Sequence, residues 1–366
     1  MKKKILFLSN HFITLYNFRK ELIQKLVKEG HEVYLSMPKA EENSYFADMG
    51  CKIIETSVDR RGINPVRDFV LIINYIKIMK KVKPDIIFSY TIKPNIYGCI
   101  ASNLTRYKQV SNITGTGATF LNDTGVSKIV KLLYKISIKQ SYKVFFQNDG
   151  DRDFFVANKM VKDNYDLLPG SGVNLDQYEL CDLPEGEEVN FIFIGRVMKV
   201  KGIDEYLECA KVVKQQYPNA NFYVVGFIEE ESYKDIIDEY HKEGIINYLG
   251  FQKDIKSWIK KCHCTILPSH GGEGVPNVLL ESAAMGRICI ASNINGSRDV
   301  ITDEVTGYLF NAKESNDLIN KVYQFINLEY MQKRLMGESG RKKIGGEFDR
   351  EIVIQKYLKE IEILKN

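Results

Sequence analysis

Two segments of this chain combine glycines, acids and cations in a way that suits a phosphorylated ligand. The richer one is Pro268-Ser-His-Gly-Gly-Glu-Gly-Val-Pro-Asn-Val-Leu-Leu-Glu-Ser-Ala-Ala-Met-Gly286. It reads as the end of a strand near Pro268, a glycine-rich loop, and a helix that begins at Pro276. Proline suits the first helical position, where its missing N–H would find no partner anyway. The N–H groups of Asn277 and Val278 would then point out of the helix end with the positive pole of the dipole behind them, a site for a phosphate or diphosphate. Gly271, Gly272 and Gly274 would let the backbone approach such a ligand closely. Glu281 lies five residues past Pro276, about 7.5 Å along the axis, where its carboxylate could accept hydrogen bonds from a ribose. Glu273, on the loop itself, could reach a sugar hydroxyl. The second segment is Phe191-Ile-Phe-Ile-Gly195-Arg196-Val-Met-Lys-Val-Lys201-Gly202, again a strand, a glycine and cations at a helix start. Arg196 can grip phosphate oxygens with its planar fork, and Lys201 can add a compact charge.

These groups need strands and helices to hold them, and both halves of the chain alternate short β-branched runs with longer amphipathic stretches. That is the pattern of parallel α/β domains. Strands are expected at Lys4–Ser9, Glu32–Met37, Lys52–Thr56, Asp85–Tyr90, Gln109–Thr114 and Lys143–Gln147. A second set falls at Val189–Ile194, Asn221–Val225, Ile246–Leu249, Cys264–Leu267, Arg287–Ala291 and Gly307–Leu309. Helices are expected at Asn17–Glu29, Val66–Val82 and Ser127–Ser141. The Gly/Pro/Glu-rich stretch from Leu168 to Glu188 reads as a hinge. The expected layout is two doubly wound Rossmann-like domains, 1–175 and 176–348, with a C-terminal helix, 349–366, able to cross back. Their strand carboxyl ends would face a central ligand cleft.

Composition narrows the function classes. Of 366 residues, 44% are hydrophobic and 27% charged, the balance of a folded globular protein. No run reaches the roughly 18–20 apolar residues of a membrane-spanning helix, and the apolar stretch after Met1-Lys-Lys-Lys is too short for a signal peptide. A cytoplasmic protein is expected. Seven scattered cysteines do not form a disulfide framework. Cys262-His263-Cys264 lacks a second ligand pair, so no metal site is expected. Residues 1–180 carry 27 Lys and Arg against 18 acids, a charge of +9, while residues 181–366 carry 24 against 29, a charge of −5. The basic front half suits an anionic surface or ligand. No nucleic-acid-binding signature appears, so nucleic acid is not an expected partner.

Gly195-Arg196 with Lys201-Gly202, and Glu273 eight residues before Glu281, resemble glycosyltransferase family 4. That resemblance covers the whole chain. It implies the GT-B fold and a retaining, nucleotide-sugar-dependent enzyme with no cofactor and no essential metal. In the first half, Tyr16-Asn-Phe-Arg19, Arg61-Gly-Ile-Asn-Pro65, Thr91-Ile-Lys-Pro-Asn-Ile-Tyr-Gly98 and Thr114-Gly-Thr-Gly-Ala-Thr-Phe120 are similar to bacterial transferases acting on undecaprenyl-diphosphate-linked sugars, the branch containing N-acetylgalactosaminyltransferases. Carried over by position, the resemblance implies that Arg196 and Lys201 hold the donor diphosphate, Glu281 the ribose and Glu273 the transferred sugar. Gly250-Phe251 would meet the base. Gly195, the loop glycines and the helix start at Asn277 and Val278 complete the donor site.

On the acceptor side the candidates are His11, Tyr16, Arg19, Lys93, Thr116 and Gly117. Many relatives place a histidine in the loop after the fourth strand, whereas Tyr90-Thr91-Ile92-Lys93 has none, which turns attention to Lys93 as a phosphate contact. His11 could reach the cleft or cap the first helix. Gly115-Thr116-Gly117 fits a glycine loop facing an acceptor diphosphate or a simple tight turn. It is not a dinucleotide fingerprint, because the third glycine and the later acid are missing.

The expected activity is transfer of a hexose or N-acetylhexosamine (GalNAc, GlcNAc or Gal) from a UDP-sugar to a lipid-diphosphate-linked saccharide. A nucleotide-sugar epimerase and a non-catalytic sugar-nucleotide-binding protein are the alternatives. The helix at Ser127–Ser141 carries Lys128, Lys131, Lys135 and Lys139 on one stripe, with Ile129, Leu133 and Ile136 to one side. It is either a core-packed helix with a solvated lysine face or a surface resting on an anionic inner membrane leaflet. The second reading makes the protein peripheral on the cytoplasmic membrane face.

Overall fold

The computed structural model describes residues 2–59, 62, 64–117 and 125–364. Arg61, Ile63 and residues 118–120 of the first-half motifs lie outside these. The chain divides into two units, residues 1–171 with 352–366, and residues 172–351.

The first unit is built on a seven-stranded sheet of order β3-β2-β1-β4-β5-β6-β7, with every pairing parallel. The strands are β1 (Lys4–Leu8), β2 (Glu32–Met37), β3 (Lys52–Glu55), β4 (Ile86–Tyr90), β5 (Gln109–Ile113), β6 (Lys143–Phe146) and β7 (Tyr165–Leu167). The second unit has a six-stranded parallel sheet of order β10-β9-β8-β11-β12-β13. Its strands are β8 (Val189–Ile194), β9 (Ala220–Val225), β10 (Asn247–Tyr248), β11 (Cys264–Leu267), β12 (Ile288–Ser292) and β13 (Gly307–Phe310). Central strands such as Ile86–Tyr90 and Ile288–Ser292 are buried at every residue, as sheets covered by helices on both faces require.

Each sheet reverses its strand order once, between β1 and β4 in the first unit and between β8 and β11 in the second. Crevices at strand carboxyl ends open at such switch points. The segment after β8 carries Gly195 and Arg196, and the segment after β11 carries the loop from Pro268 to Pro276.

Several boundaries differ from expectation for local reasons. The first helix runs Phe12–Lys28 rather than from Asn17, because the His11 ring nitrogen caps it by accepting the Ile13 N–H at 3.1 Å. The short strand β7 was not expected. The tail helix, Arg350–Ile363, is not a separate piece: Val353, Ile354, Tyr357 and Ile361 join the first unit's core beside Phe88 and Phe145. Tyr357 stacks edge-on to Phe88 at 5.0 Å and hydrogen-bonds Asn112.

The lysine-striped helix, Gly125–Ser137, also turns differently. It packs inward through Ser127, Tyr134 and Ser137, with Val130 and Leu133 partly buried. Ile129 and Ile136 face outward together with Leu132.

Candidate active site

In the second unit the carboxyl ends of β8, β9 and β11 are drawn together by glycines that no other residue could replace without a shift. A Cβ on Gly202 (φ +75°) would lie 1.9 Å from the Pro268 carbonyl oxygen, and one on Gly226 (φ +144°) 1.8 Å from that of Gly195. The loop after β8 therefore lies directly on the loop after β11. Arg196 is half exposed, and its guanidinium approaches the Glu229 carboxylate at 3.5 Å. Lys201, at the end of a single 3-10 turn, forms an ion pair with Glu273. The Ser269 hydroxyl donates to the same carboxylate oxygen at 3.0 Å. Burial alone would raise the Glu273 carboxyl, but Lys201, Ser269 and Arg196 hold it below the ordinary value. It is therefore an ionised acceptor.

The loop itself bends at Gly271 (φ +141°) and Gly272 (φ +75°). Gly274 is buried, and a Cβ on Gly296 would sit 1.7 Å from its carbonyl oxygen. Gly296 thus lets the next loop support this one. Pro276 is the N-cap, in extended conformation, and not the first helical residue. The helix Asn277–Ala284 starts one residue later than expected, so Asn277 and Val278 occupy its first two positions, whose N–H groups have no acceptor within a helix. Leu279 and Leu280 both donate to the Pro276 carbonyl.

Glu281 lies further along this helix. Desolvation pushes its carboxyl up to about 7, against opposing contributions from a hydrogen bond with Tyr178 and the charge of Arg350. Gly250 follows β10 with φ +63° and open space at its Cβ position, and Phe251 is 65% exposed beside it. An aromatic side chain offered to solvent there is suited to stacking on a planar ring.

Sequence reasoning did not single out Ser269, Glu205, His270, Tyr178, Glu229 or Gly296 as site residues. The His270 ring meets the buried Glu205 carboxylate at 2.9 Å, and the His270 backbone N–H donates to the Val200 carbonyl at 2.9 Å. This contact fastens the loop carrying Glu273 to the helix Ile203–Gln216, which follows Lys201. The spacing of Glu205 after Lys201-Gly202 gave no signal, because the partner lies 65 residues away.

In the first unit His11, Lys93 and the Thr116–Gly117 turn follow β1, β4 and β5, three neighbouring strands. His11 serves as the helix cap described above. Lys93 is bound to Asp68 at 2.6 Å, and Tyr97 donates to that same carboxylate at 2.7 Å. Tyr16 stacks on Phe12 at 5.1 Å and meets Tyr45 at 4.9 Å. Thr116 and Gly117 are partly exposed, and Gly117 has φ +68° with open space around it.

Arg19 is not with them. It is 2% exposed, with its guanidinium over the rings of Tyr90 and Tyr357 at 4.9 and 5.4 Å. It is a core cation held by aromatic faces, and its assignment to an acceptor surface is corrected accordingly.

Among the described residues no group of three or more His, Cys, Asp or Glu could hold a metal ion. His263, between two buried cysteines, accepts the Asn190 N–H at 3.0 Å and meets the Pro184 carbonyl at 3.1 Å.

Residues 182–343 match the family "Glycosyl transferases group 1", and residues 4–148 match "Glycosyl transferase 4-like". The chain belongs to these glycosyltransferases. Among curated relatives, the transferase is 25% identical to the N,N'-diacetylbacillosaminyl-diphospho-undecaprenol alpha-1,3-N-acetylgalactosaminyltransferase of Campylobacter jejuni, over 99% of this chain and 100% of that one. It is 26% identical to the UDP-Gal:alpha-D-GlcNAc-diphosphoundecaprenol alpha-1,3-galactosyltransferase of Escherichia coli, over 79% and 78% of the two chains. Its fold is that of solved GT-B enzymes. A Rickettsia africae glycosyltransferase superposes with a TM-score of 0.82 at 18% identity, covering 100% of this chain and 99% of that one. The Anabaena protein HepE, solved with UDP and glucose, superposes with a TM-score of 0.80 at 15% identity, covering 98% and 99%.

Proposed function

We propose that the transferase moves a hexose or N-acetylhexosamine (GalNAc, GlcNAc or Gal) from a UDP-sugar to an undecaprenyl-diphosphate-linked saccharide during cell-surface polysaccharide or glycan assembly. The observation that carries this reading is the meeting of Lys201 with Glu273 beside the start of the helix Asn277–Ala284. One cluster then offers a cation and helix N–H groups to a diphosphate and an ionised carboxylate to the sugar attached to it.

The chemistry needs charge stabilisation on the departing diphosphate. Arg196, Lys201 and the N–H groups of Asn277 and Val278 supply it electrostatically. Glu273 accepts hydrogen bonds from the transferred sugar and Glu281 from the ribose, while Phe251 covers the base. The acceptor attacks the face that the diphosphate leaves, its proton passing to a donor phosphate oxygen, so the anomeric configuration is retained. No cofactor or metal takes part. The Campylobacter and Escherichia relatives are named for undecaprenyl-diphosphate-linked substrates, which supports a lipid-linked acceptor; we assign it to His11, Tyr16, Lys93 and the Thr116–Gly117 turn. Such an acceptor places the enzyme at the cytoplasmic face of a membrane. No helix among the described residues is long and apolar enough to span one.

The test is incubation with UDP-GalNAc, UDP-GlcNAc and UDP-Gal, each with and without an undecaprenyl-diphosphate-linked saccharide. Extension of the lipid-linked sugar is expected with one donor. Fast conversion of a UDP-sugar without acceptor would indicate an epimerase instead.

A further inference from the structure

Two segments of the second unit meet in the candidate site. One runs from β8 through the turn Lys199–Lys201 into the helix Ile203–Gln216, and the other is the loop from Pro268 to Pro276 after β11. Their side chains clasp twice. Lys201 pairs with Glu273, and the His270 ring meets the Glu205 carboxylate at 2.9 Å. The two clasps differ in what can reach them. The side chains of Lys201 and Glu273 are 20% and 18% exposed, those of His270 and Glu205 only 10% and 9%.

On the donor assignments proposed above, from which this inference starts, the first clasp is exchangeable. A diphosphate draws Lys201 away, and sugar hydroxyls claim Glu273. The second clasp uses neither group and survives the exchange. Glu205 lies in the first turn of its helix, where the dipole favours an acid. Burial would raise its carboxyl, but the His270 hydrogen bond, its own backbone N–H and the charge of Lys199 hold it below the ordinary value. Its second oxygen, Oε2, is buried with no hydrogen-bond partner among the described residues, so the carboxylate relies on the His270 ring as its side-chain donor. Depriving a buried carboxylate of its donor is costly, which ties the ring and its loop to the helix. The His270 backbone N–H meets the Val200 carbonyl, inside the turn that delivers Lys201. His270 therefore grips the chain on both sides of Lys201 and stands three residues before Glu273.

We propose that His270 is a positioning residue for sugar transfer: through Glu205 it keeps the Glu273 carboxylate at the sugar once the diphosphate has taken Lys201. It acts on the loop and not on the donor. Removing its ring leaves nucleotide binding to Arg196, Lys201 and the helix end, while Glu273 drifts from the sugar. A displacement of about 1 Å near a reacting centre costs on the order of 10²-fold in rate.

The test compares two amides. In glutamine the amide nitrogen stands where histidine has Nε2, the atom that meets Glu205; in asparagine it stands where histidine has Nδ1 and falls short. His270→Asn should lower kcat about tenfold or more and leave the Kd for UDP within about threefold of wild type. His270→Gln should recover kcat to within about threefold. Glu205→Ala should match His270→Asn, and the double variant Glu205→Ala, His270→Asn should be no slower than either alone. UDP binding, read by calorimetry, certifies that the site is folded in each variant. Normal kcat in His270→Asn, with Lys201→Ala impaired, would overturn the positioning role alone. So would a glutamine variant no faster than the asparagine one, or a loss of UDP affinity as large as the loss of kcat, since the ring would then only hold up the fold of the loop. Near-normal kcat in Lys201→Ala would instead overturn the donor assignment, and with it the basis of this role.

Discussion

Lys201 and Glu273 lie 72 residues apart in the chain and are joined side chain to side chain, with Ser269 donating to the same carboxylate. The cation assigned to the diphosphate neutralises the acid assigned to the sugar. A bound diphosphate would compete for Lys201 and leave Glu273 with Ser269 and the sugar hydroxyls. Arg196→Ala and Lys201→Ala should therefore each cut kcat by roughly 10²-fold or more, because each removes a charge facing the leaving group. Steady-state kinetics with donor and acceptor decide it. Near-normal kcat in both variants would mean the donor site lies elsewhere.

Activity should be indifferent to chelation. The departing diphosphate has Arg196, Lys201 and a helix end to offset its charge, so no divalent ion is required for that role. Assays in excess EDTA should match untreated enzyme. Loss of activity that Mg²⁺ or Mn²⁺ restores would contradict the proposed mechanism.

Glu281 links folding to pH. Its carboxyl rises from an ordinary 4.5 to about 7 in the folded protein. Between those values the folded state binds more protons than the unfolded one. The group's stabilising contribution is therefore complete below about 4.5 and is lost as pH rises through about 7. Glu281→Gln removes this linkage, so its Tm should gain on wild type between about pH 5 and about pH 8. A Tm difference that stays flat across that range would refute the assigned shift. The same variant should weaken UDP-sugar binding more than it changes kcat.

Two glycines should behave differently on substitution. Gly202→Ala places a Cβ against the Pro268 carbonyl at φ +75°, whereas Gly250→Ala meets open space at φ +63°. The second change costs only the left-handed backbone, about 1 kcal/mol. The first adds a backbone clash and should cost about 2–4 kcal/mol, with a matching loss of donor affinity. Chemical denaturation of the two variants compares them directly, and equal losses would show that the two loops can part freely.

The parallel strands were legible because buried strands are written as unbroken β-branched and aromatic runs, and Val189–Ile194 and Cys264–Leu267 fall where the sequence placed them. Strand β7 was not, since Tyr165-Asp-Leu167 is short and only partly buried. The first helix was read late because Phe12-Ile-Thr-Leu looks extended, and only the His11 cap reveals its start. Periodicity could place lysines 128, 131 and 135 on one stripe but could not say which side of the helix meets the sheet. That depends on Tyr134 fitting against Phe155 at 5.3 Å. Arg19 was misplaced for a similar reason: its aromatic neighbours Tyr90 and Tyr357 are distant in sequence. The donor loop was read more fully because its glycines, proline and acids are local to one segment, while its supports at Glu205 and Gly296 are not.

The tail helix imposes an order on biosynthesis. The core around Phe88 and Phe145 is closed by Val353, Tyr357 and Ile361, which are made only after the whole second unit. At about 5–20 residues per second, the nascent first unit waits on the order of 10–40 s for its last wall. Through that interval apolar surface meant for the tail helix is open to chaperones and to misassociation. A fragment ending at Ser171 would stay in that condition permanently, so a soluble first unit requires residues 350–363 to be grafted back onto it.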